Sequence, residues 1–229
     1  MFWIPENEMG FPAVNLANKD GILAIGGDLS PQRLLLAYSQ GIFPWYNEAY
    51  EPIVWWSPDP RFVLFPEELK VSKSMRPYFN QQKFMVTFDQ HFEEVMRNCK
   101  NTYRESQGGA TWINENMIAA YTKLHELGFA HSVEVWKEGE LVGGLYGIAL
   151  GKFFFGESMF SKVNNASKTG FIQLVRNLEL NEFELIDCQQ GTPHLISLGA
   201  EPIPRNTFLD KISSINDSNT MKGLWTDVF

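Results

Sequence analysis

Asp187-Cys188-Gln189 closes an apolar run, and on an extended chain Asp187 and Gln189 face one side while Cys188 faces the other. Two readings stand side by side. In one, the pair begins a loop and is satisfied by backbone groups. In the other, a carboxylate and an amide presented together at a strand end accept hydrogen bonds from an amine. A second acidic residue, Glu157, lies within Phe153-Phe154-Phe155-Gly156-Glu157-Ser158-Met159-Phe160. It is either a partly exposed strand residue or a charge held beside an apolar cavity, and periodicity leaves both open. Metal chemistry has less support, because His125-Glu126 is followed by His131 and not by a histidine at the H-E-x-x-H spacing, and Gly128 ends the helix between them. These histidines read as structural or surface residues. Gly143-Gly144-Leu145-Tyr146-Gly147 matches neither G-x-G-x-x-G nor the P-loop pattern, and inside a strand its glycines mark a bulge or a close backbone approach.

The frame that must position these groups has 229 residues, 44% of them apolar and 14% aromatic, with 19 basic against 27 acidic side chains and a net charge of −8. Such a chain can bury a substantial core, which excludes intrinsic disorder and a small disulfide-stapled scaffold. The longest nearly uncharged stretch, Leu141 to Gly151, is far shorter than the roughly 18 apolar residues that cross a bilayer, so no membrane partner is expected. Met1 to Glu8 has no basic region before an apolar run and does not read as a secretory signal. Cys99 and Cys188 are far apart in sequence and suit a reducing, cytoplasmic location. Net acidity argues against sequence-blind binding along nucleic acid but leaves room for a local basic patch.

The hydrophobic pattern predicts an α+β chain. A first helix is capped by Ser30, starts at Pro31, buries Leu34, Leu35 and Tyr38, and ends at Gly41. Phe43-Pro44-Trp45-Tyr46 and Trp55-Trp56-Ser57-Pro58-Asp59-Pro60-Arg61 read as rigid loops, and a domain division is placed at Phe65-Pro66, giving units 1–65 and 66–229. Two surface helices follow, one capped by Asp89 with Phe92, Val95, Met96 and Cys99 inward, the other capped by Asn114 with Met117, Ile118, Tyr121 and Leu124 inward. Extended segments from His131 to Phe160 form an antiparallel meander, then a helix buries Phe171, Leu174, Val175 and Leu178 before the strand Glu184 to Gln189. The polar tail after Ile215 is expected to be loosely held.

Several unusual words occur in one order along the chain. They are Gly27-Asp28-Leu29-Ser30-Pro31, Gly41-Ile42-Phe43-Pro44-Trp45, the Trp55 to Arg61 block, Thr111-Trp112-Ile113, His131 to Trp136, Gly156-Glu157-Ser158-Met159-Phe160-Ser161, Asn165-Ala166-Ser167-Lys168, Leu185-Ile186-Asp187-Cys188-Gln189 and Ser197-Leu198-Gly199-Ala200. From Phe2 to Phe208 the sequence resembles the bacterial leucyl/phenylalanyl-tRNA–protein transferases. The resemblance implies a small N-terminal domain followed by an acetyltransferase-like domain, and transfer of Leu or Phe, less readily Met, from aminoacyl-tRNA to the α-amine of a protein beginning with Arg or Lys. It implies that the new N-terminus is a degradation signal read by a Clp protease adaptor. A monomer is the default expectation.

An aminoacyl ester is already activated, so that reaction needs alignment and a deprotonated amine but no metal, cofactor or covalent nucleophile. By the resemblance, Gln189 accepts a hydrogen bond from the attacking amine and Asp187 polarises Gln189 or receives the proton. Glu157 is expected to orient the cationic N-terminus of the acceptor. Trp112, Tyr121, Leu145 and Phe155 are expected to form the donor side-chain pocket, with Trp55 and Trp56 near the terminal adenosine and Lys70, Lys73, Arg76 and Lys83 facing tRNA phosphates. Two alternatives remain. An acetyl-CoA-dependent N-acetyltransferase needs a glycine-rich pyrophosphate turn, whereas Ser161 to Gly170 holds a single glycine. A non-enzymatic adaptor for hydrophobic N-termini would share an aromatic pocket beside acidic residues.

Overall fold

The computed structural model describes residues 1–46, 52–102, 112–215 and 219–229, so Thr111 of the words quoted above lies outside the described residues. Two sheets and, among the described residues, seven α-helices make an α+β fold. The smaller sheet has the order β1-β2-β4-β3, from β1 (Phe2–Ile4), β2 (Ile22–Gly26), β3 (Phe43–Pro44) and β4 (Val54–Trp56). Helix α1 (Pro31–Ser39) connects β2 to β3. Its start and stop follow the sequence signals: Ser30 Oγ accepts from the Arg33 N–H, Pro31 opens the helix and Gly41 leaves it at φ +70°. The segment expected to be loop supplies β3 and β4, whose two and three residues are too few to show a period of two.

The larger sheet has the order β11-β5-β10-β9-β8-β7-β6. It is built from β5 (Arg61–Leu64), β6 (Met85–Phe88), β7 (Ala130–Lys137), β8 (Glu140–Leu150), β9 (Phe153–Ser161), β10 (Leu185–Gln189) and β11 (Glu201–Ile203). β5 precedes residue 66 yet pairs with β10, so the change from one sheet to the other falls between Trp56 and Arg61. The helices are α2 (Arg76–Asn80), α3 (Phe92–Lys100), α4 (Glu115–Glu126), α5 (Ala166–Leu180), α6 (Pro193–Ser197) and α7 (Arg205–Ile212). None of the described helices is long and apolar enough to cross a membrane.

β6 to β9 form the antiparallel meander, α5 crosses over with Phe171, Leu174, Val175 and Leu178 buried, and β10 returns parallel to β9. The parallel pairing is short. Leu185, Ile186 and Asp187 face Phe153, Phe154 and Phe155, after which β9 runs on to Ser161 while β10 shifts register against β5 between Asp187 and Gln189. The two strands therefore part and leave a wedge in the sheet, where neither strand covers the other's edge.

Asn114 caps α4 as expected, its Oδ1 accepting from the Met117 N–H at 2.9 Å. Asp89 does not cap α3. Its buried carboxylate, on a residue at φ +57°, accepts instead from the Ser132 and Trp225 backbone N–H groups and from His131 Nδ1, all at 2.8 Å. Glu134 takes over at the helix start by accepting from the His91 N–H. The tail also departs from expectation, because Trp225 is fully buried and stacks on His131 with ring centroids 3.7 Å apart. Gly128, at φ +80°, leaves no room for a Cβ beneath this tail: one would meet the Gly223 nitrogen at 2.3 Å. Two aromatic anchors, Trp225 and Phe229, outweigh the polar character of their neighbours.

Candidate active site

A cavity of about 520 Å³ opens at the wedge between β9 and β10, within the range of sites that take small ligands. On the side of α5 it is apolar, lined by Leu145, Phe154, Met159, Phe171, Ile186 and Leu195. On the other side it is lined by Phe43 and Pro44 of β3, by Trp45 directly after them, and by Trp112. Glu157 and Gln189 line the same cavity.

Two donated hydrogen bonds fix Glu157, and a third hydroxyl stands close by. Tyr38 of α1 donates to Oε1 at 2.7 Å and Gln189 Nε2 donates to the same oxygen at 2.8 Å, while the Tyr121 hydroxyl of α4 approaches Oε2 at 3.3 Å. Tyr38 has one proton and gives it to Glu157, so the 2.5 Å contact between the two tyrosine hydroxyls is the proton of Tyr121 on the oxygen of Tyr38. Burial pushes the Glu157 carboxyl up to about 7, the neighbouring charge of Asp187 adds to this, and the donors only partly offset it. Burial, joined by the charge of Glu157, also holds Tyr38 and Tyr121 well above the usual phenol range, so both hydroxyls keep their protons. The carboxylate selects the nitrogen side of the Gln189 amide, which leaves Gln189 Oε1 as the acceptor atom of the pair.

Asp187 occupies a different environment from the one expected. Its fully buried carboxylate takes Arg61 Nε on Oδ1 at 2.8 Å and Arg61 Nη2 on Oδ2 at 2.6 Å, a two-pronged ion pair, and Oδ1 also accepts from the Gln189 backbone N–H at 2.9 Å. It thus touches the main chain of Gln189 and not its amide, and both oxygens are committed to donors. No contact joins Asp187 to the Gln189 side chain, as the polarising role expected of it would need; its carboxylate holds the Arg61 guanidinium and the main chain of Gln189. Gln189 itself sits at φ +60°, and the turn that places it is the register shift at the end of β10.

The remaining expected site residues divide. Trp112 and Leu145 line the cavity, and Tyr121 reaches it only through Glu157. Phe155 is fully buried beneath the site against Tyr38, with ring centroids 5.3 Å apart, and its neighbour Phe154 lines the apolar side instead. Trp55 is fully buried, donates to the Gly26 carbonyl at 2.8 Å and packs against Phe11, so it has no face for a base. Trp56 stands behind Trp45, donating to its carbonyl at 2.6 Å with rings 5.2 Å apart. The tryptophan that shares the cavity lining with Trp112 is thus Trp45, and not Trp55 or Trp56. Lys70, Lys73, Arg76 and Lys83 are all exposed on the stretch from β5 to β6, and none forms an ion pair among the described residues. Lys83 lies over the Tyr78 ring, and Tyr78 accepts from Asn165 at the start of α5. Burial holds the Cys188 thiol well above its usual range, which keeps it un-ionised beside the cavity.

A family model described as leucyl/phenylalanyl-tRNA protein transferase matches residues 63–213, and one described as the N-terminal domain of that transferase matches residues 27–59. The leucyl/phenylalanyl-tRNA–protein transferase of Christiangramia forsetii is 59% identical over 211 residues, which cover 91% of this chain and 98% of that protein. Those of Nitrosospira multiformis and Desulfatibacillum aliphaticivorans are 55% and 54% identical, over 93% and 94% of this chain and 91% and 92% of theirs.

Proposed function

The chain belongs to the leucyl/phenylalanyl-tRNA–protein transferase family, and we propose that its wedge cavity joins the aminoacyl ester of a charged tRNA to the α-amine of a protein that begins with Arg or Lys. One observation carries the reading: the Gln189 amide is locked by Glu157 in a cavity that has an apolar wall and an aromatic one.

The donor's Leu or Phe side chain enters the apolar side, where each methylene buried or missing is worth about 1 to 3 kcal/mol of discrimination. The terminal adenine rests on Trp45 and Trp112, a contact that contributes about 1 to 3 kcal/mol and accepts any tRNA body. Lys70, Lys73, Arg76 and Lys83 meet nearby phosphates. Gln189 Oε1 accepts one N–H of the acceptor amine and so aims its lone pair at the ester carbon. The amine nitrogen bonds to that carbon, the bond to the ribose 3′-oxygen breaks, and the nitrogen sheds a proton that the departing oxygen needs. Glu157, with a pKa of about 7, can take that proton and return it without moving far from neutrality. Its negative form also attracts the acceptor's cationic N-terminus.

We read the larger sheet as an acetyltransferase-like domain behind a small N-terminal domain. The meander from β6 to β9, the α5 crossover and the parting of parallel β9 and β10 support this. The product N-terminus, Leu or Phe, then serves as a degradation signal for a Clp protease adaptor.

The test is transfer of labelled leucine from Leu-tRNA to a peptide beginning with Arg, beside one beginning with Asp and a control supplying acetyl-CoA. Labelling of the Arg peptide alone is expected. Equal labelling of the Asp peptide would overturn the acceptor rule, and acetylation in place of leucylation would overturn the reaction.

A further inference from the structure

Arg61 is 1% exposed, and its guanidinium lies between the rings of Phe43 and Phe208, 4.7 Å from each centroid, while Nε and Nη2 grip Asp187. A buried ion pair is poor value as a stabiliser, because desolvating both charges offsets most of their attraction. What this pair supplies is direction. Asp187 Oδ1 receives both Arg61 Nε and the Gln189 N–H, so the guanidinium fixes the oxygen on which the left-handed Gln189 turn closes. Gln189 in turn reaches Glu157. Phe43, which packs on the guanidinium, is itself part of the cavity wall that continues into Trp45.

We infer that Arg61 is a positioning residue of the transfer reaction: through Asp187 it sets the aim of Gln189, and through Phe43 it ties that aim to the wall that receives the donor's terminal nucleotide. The inference rests on the reading of Gln189 as the group that meets the amine. Arg61 never touches substrate, so its loss acts on the turnover of bound complexes and not on their formation. A lysine keeps the charge but cannot present two parallel donors.

The experiment measures single-turnover transfer from Leu-tRNA to an Arg peptide for wild type, Gln189→Ala, Arg61→Lys, Asp187→Asn and the double variant Arg61→Gln/Asp187→Asn. Urea unfolding of each variant is measured in parallel. Arg61→Lys is expected to lower the rate at saturation by about 10- to 100-fold, with KM for Leu-tRNA changed less than about threefold. The double variant replaces the ion pair by two amides that can still hydrogen bond to each other and to the Gln189 N–H. It is expected to recover at least about tenfold over either single change, which a carboxylate needed for proton transfer could not do. A wild-type rate in Arg61→Lys, or a double variant no faster than Asp187→Asn, would overturn the inference. Should Arg61→Lys fail to fold, the double variant alone decides by the same criterion. A wild-type rate in Gln189→Ala would instead overturn the reading of Gln189 on which the inference depends.

Discussion

Replacing Glu157 by glutamine keeps the shape and the acceptor oxygen for Tyr38 and Gln189 but removes the ionisation, and its effect on stability should depend on pH. The carboxyl titrates at about 7 in the folded protein against an ordinary value of 4.5. Between those values the folded chain holds a proton that the unfolded chain has released, so wild-type stability falls as pH rises through that window and levels off above about 7. At about 1.4 kcal/mol for each pH unit, the whole effect is at most on the order of 3 kcal/mol. Glu157→Gln carries none of it. The variant should therefore gain on wild type by up to about 3 kcal/mol between pH 5 and pH 8. Urea midpoints at the two pH values, at unchanged slope, measure this directly, and titration of every other group cancels in the difference. A difference between the two proteins that is the same at both pH values, within about 0.5 kcal/mol, would refute the burial argument for Glu157.

Asp187→Ala strands the Arg61 charge in the core and should cost about 3 to 5 kcal/mol in urea, whereas Gln189→Ala, at a partly exposed strand end, should cost less than about 1 kcal/mol while still slowing transfer. Trp45→Ala should raise KM for the charged tRNA by about 5- to 150-fold, the equivalent of one lost stacking partner. Trp55→Ala should instead destabilise the fold by about 3 to 5 kcal/mol and leave KM of the folded fraction alone. Removing the anchor of the tail by Trp225→Ala should lower stability by a similar amount, read as a drop in Tm with transfer by the folded protein retained at 25 °C.

What the sequence disclosed follows from the range of each signal. Helix α1 and helix α4 were legible because their caps are local: Ser30 and Asn114 each bond within three residues of themselves. Helix α5 is legible because its buried residues recur at helical spacing, whereas β7 and β8 are buried almost throughout and stand out as apolar extended segments broken by the turn at Lys137 to Glu140. Asp187, Gln189 and Glu157 stood out as polar groups in apolar surroundings, but the role of Asp187 depends on Arg61, 126 positions away, which no pattern links to it. The same limit misplaced the aromatic platform. Trp45, Trp55 and Trp56 look alike as letters, and only the pairing of β3 with β4 turns Trp45 toward the cavity, buries Trp55 and sets Trp56 behind Trp45. The neighbours of Asp89 suggest a helix cap, yet its partners His131, Ser132 and Trp225 come from β7 and the tail.

The most direct test of the central claim follows the rate of leucine transfer from Leu-tRNA to an Arg peptide, at saturation, across pH 5.5 to 9 for wild type and Glu157→Gln. Wild type should show an inflection near 7 from Glu157 besides that of the acceptor amine, and the variant should be slower and keep only the amine's inflection. An unchanged profile and rate in Glu157→Gln would contradict the account, because the carboxyl that lines the cavity beside Gln189 would then have no part in the proton's path.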